Sequence, residues 1–82
     1  MTVRLVEPDT LLLEGECPAE DAETLLSHLC ARPAARVDWR GCEQAHAAVV
    51  QVLFATGVAL QGPPAGAFLR TWVAPALTSR II

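Results

Sequence analysis

Short apolar runs separated by turn-forming residues open the chain. Residues 3–6 and 10–16, the second holding Leu11, Leu12 and Leu13, flank Glu7-Pro8-Asp9, whose proline and aspartate suit tight-turn positions. The pattern predicts two short strands joined as a hairpin. After Pro18 the period changes: Ala22, Leu25, Leu26 and Leu29 recur at i, i+3, i+4 and i+7, which lines up one apolar stripe. Asp21 and Glu23 stand where acidic side chains favour the positive end of a helix. A helix is therefore predicted over 19–31, stopped by Arg32-Pro33 because proline disfavours helical geometry in the residue before it.

Downstream, Arg36-Val37-Asp38-Trp39 reads as a third strand, and Gly41 lets the chain turn through a loop over 40–44. A run apolar almost all round predicts a helix over 45–56 closed by Gly57. A fourth strand is expected at 58–61. Gly62-Pro63-Pro64 then leads into a third helix over 65–77, with Phe68, Leu69, Trp72 and Val73 as its apolar face and Pro75 near its end. The order is β-β-α-β-α-β-α. Short connections turn that order into a small, mixed, mostly parallel four-stranded α/β sheet with right-handed crossovers and three helices.

Composition narrows the class. Eighty-two residues build one domain spanning 1–82. At 52% hydrophobic and 18% charged the chain is globular rather than disordered. A net charge of −3, with six arginines scattered along the chain, argues against nucleic-acid binding. The apolar run at 45–55 is broken by His46 and Gln51 and falls short of the roughly 20 residues of a membrane span, so no membrane insertion is expected. Cys17, Cys30 and Cys42 are odd in number and irregularly spaced, with no secretory leader ahead of them, which reads as a reduced, cytoplasmic protein.

The segment Val37-Asp38-Trp39-Arg40-Gly41-Cys42-Glu43-Gln44-Ala45-His46-Ala47-Ala48-Val49-Val50-Gln51-Val52-Leu53 resembles the central signature of STAS domains, the anti-sigma-factor-antagonist-like modules. In that family a strand ending in valine–aspartate leads through a small loop to an aspartate followed by serine or threonine at a helix start. Val37 and Asp38 match the strand, Gly41 the loop, and Ala48, Gln51 and Leu53 the helix. The predicted order of elements fits nearly the whole chain, although 82 residues fall short of the usual domain length of about 100. Two departures carry functional content: His46 stands in the aspartate position, and Ala47 stands where the phosphorylatable hydroxyl would be. Ala47 is a degenerate phosphosite, since alanine offers no oxygen to a kinase.

The resemblance implies a non-enzymatic regulatory adaptor of bacterial signalling that acts by protein contact and needs no cofactor. The contact surface is expected at Trp39, Arg40, Glu43, Gln44, His46 and Ala47, with Val50 from the following helix. Its partner would be a kinase-like regulator, a signalling protein or the ATPase of a transporter. Capping or packing is the other role of His46, and burial is the default for Trp39 as for Trp72. A self-associating scaffold, forming a homodimer through the apolar helix surface of Val50 and Phe54, is the competing function. Cys42 with His46, and His28 with Cys30, do not follow a zinc knuckle. A Cys42 nucleophile with His46 as its base lacks an orienting third group.

Overall fold

The computed structural model describes residues 3–6 and 8–79, leaving aside the side chains of 78 and 79. Glu7, in the expected first turn, lies outside the described residues. The hairpin forms as β1 (Val3–Val6) and β2 (Thr10–Cys17), paired antiparallel with Val3 opposite Leu13 and Val6 opposite Thr10. Next come α1 (Asp21–Ala31), β3 (Arg36–Ala45), α2 (Ala47–Thr56) and β4 (Ala59–Gln61). β2 pairs with β3 and β3 with β4, both parallel, so the four-stranded sheet runs in chain order β1-β2-β3-β4. The third helical region is a π-helical segment, Leu69–Val73, that passes directly into α3 (Ala74–Ser79).

Alternation along the strands divides the sheet into two faces. Leu11, Leu13, Val37 and Trp39 point one way and are buried, while Arg4, Glu14, Arg36 and Arg40 point the other way and are exposed. The helices cover the first face: Leu25 and Leu29 of α1, Val49 and Leu53 of α2, and Leu69 and Leu77 of the third region join the strand residues in one core. The second face stays open and carries the Arg4–Glu14 ion pair at 3.3 Å.

β3 is longer than the sequence pattern predicts. It runs ten residues, through the expected loop at 40–44, because it contains two irregularities: Leu12 pairs with Asp38 but Glu14 with Gly41, and Gly15 pairs with Cys42 but Glu16 with Gln44. Each step places one extra residue on β3, which is the definition of a bulge. Strict alternation after Val37 and Trp39 would aim Gly41 and Glu43 at the core. The first bulge instead carries Cys42 inward and the second does the same for Ala45, which is half-buried.

The third helix also departs from expectation. Pro75 brings no N–H, and its ring would press on the carbonyl of Thr71 in a regular α-turn. The turn before it is widened, so that the Ala74 N–H donates to the carbonyl of Leu69, five residues back. Leu69 and Leu77 are buried and Val73 half-buried, whereas Phe68 and Trp72 stand in solvent at 69% and 68% exposure. Of the expected apolar face, Leu69 and Val73 meet the core, and Phe68 and Trp72 are corrected to the surface.

Candidate protein-contact site

α2 begins where β2 and β3 end. The His46 N–H donates to the Cys17 carbonyl at 2.9 Å, tying the helix start to the last residue of β2. His46 is the N-cap: its backbone is extended, and Nδ1 accepts a hydrogen bond from the Ala48 N–H at 3.1 Å. The ring therefore does the work usually given to serine or aspartate at this position. Capping, one of its two expected roles, is thereby accounted for, and the ring remains exposed. Ala47 follows as the first helical residue, with its methyl in solvent. At the far end Gly57, in left-handed conformation at φ 62°, returns its N–H to the Leu53 carbonyl.

Two depressions adjoin this helix start. A shallow one of about 320 Å³ lies over the carboxyl ends of β2 and β3, walled by Glu16, Cys17, Pro18, Gln44, Ala45 and His46. The second is an apolar groove of about 680 Å³, with Ala47, Val50 and Phe54 of α2 on one side and Phe68, Leu69 and Val73 on the other. His46 lines the first, Ala47 lines the second and Ala45 is shared by both.

The expected contact residues do not all meet. Gln44, His46, Ala47 and Val50 gather at the start of α2, where Gln44 is exposed and Val50 half-buried. Glu43 is exposed one residue earlier, and its carbonyl group lies where a Cβ on Gly66 would have to go. Trp39 is 2% exposed, so its expected place on the contact surface is corrected to the core. Its indole lies where a Cβ on Gly62 would go, so the glycine's bare backbone covers the ring.

Arg40 is on the opposite face of the sheet from Trp39. Its Nε and Nη2 donate to the two carboxylate oxygens of Asp38 at 3.0 and 2.8 Å, and its backbone N–H adds a third bond at 3.1 Å. The side-chain hydrogen bonds of Arg40 hold the Asp38 carboxyl below the ordinary aspartate value, against a smaller opposing effect of burial. Arg40 is accordingly committed within the chain and points away from α2. Phe68 also walls the groove, whereas the pattern of apolar positions placed it on the packed face of the third helix.

Cys42 is enclosed, with its Sγ 3.9 Å from Cys17 Sγ and 3.5 Å from the Gln44 carbonyl. Its thiol is pushed far above the ordinary cysteine range by the hydrogen bond with Cys17 and by burial, which disfavours the thiolate a nucleophile requires. His28 is half-buried and Cys30 exposed. Among the described residues no three of His, Cys, Asp and Glu cluster as metal ligands, and no helix is long and apolar enough to cross a membrane. Comparison with family models, curated proteins and solved structures finds no match to this chain.

Proposed function

We propose that the chain is a non-catalytic protein-interaction module of STAS type that docks a partner protein on the start of α2 and the groove beside it. The groove carries this reading: an exposed helix start at Ala47 opens directly onto an apolar channel walled by Val50, Phe54 and Phe68. Clustered apolar surface beside polar groups is the usual composition of a protein contact. Gln44 and His46 supply polar contacts at its rim. With Ala47 in place of a hydroxyl residue, recognition is constitutive rather than set by phosphorylation at that position. The STAS likeness points to a kinase-like regulator, a signalling protein or a transporter ATPase as partner, in the cytoplasm of a bacterium.

Affinity capture with the intact chain, repeated with Gln44→Ala, Ala47→Glu and Phe68→Ser, tests this reading. Ala47→Glu places a negative charge in the wall of the groove, and the expected result is loss of the captured partner. Undiminished capture by all three variants removes this surface from the account. A second reading, self-association, is favoured by the exposure of Phe68 and Trp72. Light scattering over a concentration series decides it, and a strict monomer ends it.

A further inference from the structure

Cys17 and Cys42 are the only sulfurs among the described residues that meet inside the core. They are 2% and 0% exposed, and their Sγ atoms are 3.9 Å apart, where a disulfide would hold them at about 2.05 Å. Cys17 ends β2, and Cys42 lies between the two bulges of β3, where the ladder is already irregular. The two thiols are not equivalent. Cys17, although 2% exposed, is among the residues that wall the shallow depression beside Glu16 and His46, so a local opening at the end of β2 brings a small reagent to it before Cys42. Cys42 is enclosed behind it.

Both backbones are anchors. The Cys17 carbonyl holds the His46 N–H at 2.9 Å, and the Cys42 carbonyl holds the Gly66 N–H at 3.0 Å. These bonds fix the start of α2 and the lead-in to the π-helical segment, the two walls of the apolar groove. We infer that Cys17 and Cys42 form a redox-sensitive pair, whose closure to an intrachain disulfide shifts these two anchors and with them the groove.

With a low-molecular-weight disulfide such as oxidised glutathione as oxidant, the reaction balances in two exchanges. Cys17, its proton lost to solvent, attacks one glutathione sulfur, forms a mixed disulfide and releases the other glutathione as thiolate. Cys42 then attacks Cys17 Sγ and displaces the second glutathione, while the Cys42 proton leaves with it or to solvent. The pair loses two electrons and two protons, and one glutathione disulfide becomes two thiols.

The test uses the full chain with Cys30→Ser, which keeps both core thiols and removes the exposed one. Folded protein is treated with oxidised glutathione, and its fragments are mapped by mass spectrometry with and without reductant. The expected product links the fragment holding Cys17 to that holding Cys42, and Cys42→Ala in the same background traps glutathione on Cys17. Hydrogen exchange of the oxidised chain is expected to quicken by roughly tenfold at the His46 and Gly66 amides as their bonds are strained open. A folded chain that stays reduced while its denatured form is oxidised overturns the pair. So does a glutathione adduct that persists on Cys17 with Cys42 present. A disulfide that forms with unchanged exchange at both amides overturns its coupling to the helices.

Discussion

His46 stabilises α2 through a single acceptor atom, and that gives it a measurable weight. His46→Ala leaves the Ala48 N–H without its side-chain partner and is expected to cost about 1 kcal/mol, a fall of roughly 4–8 °C in melting temperature for a domain of this size. His46→Asp restores a capping oxygen and recovers most of that loss, so thermal melts of the two variants separate the cap from any role in recognition. Asp38 makes a second residue-level prediction. Its folded-state value is depressed, so its contribution is fully present above the ordinary value of 3.8 and is lost as pH falls through the depressed value. Asp38→Asn should therefore differ from the parent at neutral pH and converge with it in acid, as followed by urea midpoints against pH. The difference is small, because the guanidinium of Arg40 is bathed in solvent. At this scale the sequence was half legible. A histidine ahead of a helix admits capping, but that Nδ1 makes the cap depends on backbone angles set only in the fold. Burial, the default for both tryptophans, holds for Trp39 and not for Trp72, because residue type alone does not say which side of an element a tryptophan occupies.

Among the elements, the hairpin and α1 followed from periodicity, and α2 from a run apolar almost all round and closed by Gly57, each to within two residues at each end. β3 did not, since its bulges break the alternation that marks a strand. Gly41 and the polar Glu43-Gln44 pair then read as loop. The third helix failed for a different reason. Phe68 with Trp72 and Leu69 with Val73 form adjacent stripes of equal apolarity, and only the turn widened by Pro75 settles which one meets the sheet. Gly66 joins these two elements, because its backbone presses on the Glu43 carbonyl group at the second bulge. Gly66→Ala is expected to cost about 1–3 kcal/mol, as an overpacked contact does. Denaturant unfolding checks the figure, and a neutral substitution would mean that the third helix is free to move off β3.

For the whole molecule, the layered arrangement of a mostly parallel sheet under helices followed from the order of elements and the shortness of their connections. Which surfaces remain bare did not, because exposure depends on packing between elements. The bare apolar residues are expected to carry function rather than stability. Phe68→Ser should change stability by no more than about 0.5 kcal/mol, as exposed substitutions do. Leu53→Ala, in the sealed core, should cost about 2–5 kcal/mol. Chemical denaturation of the two variants compares them directly. The two indoles add a practical consequence. The chain has no tyrosine, so its ultraviolet emission comes from Trp39, sealed beneath Gly62, and Trp72, in water. A dissolved quencher reaches one and not the other, which makes the protein its own two-channel optical gauge. The shielded blue component reports whether the core is intact, and the quenchable red one reports whether anything has settled over the third helix.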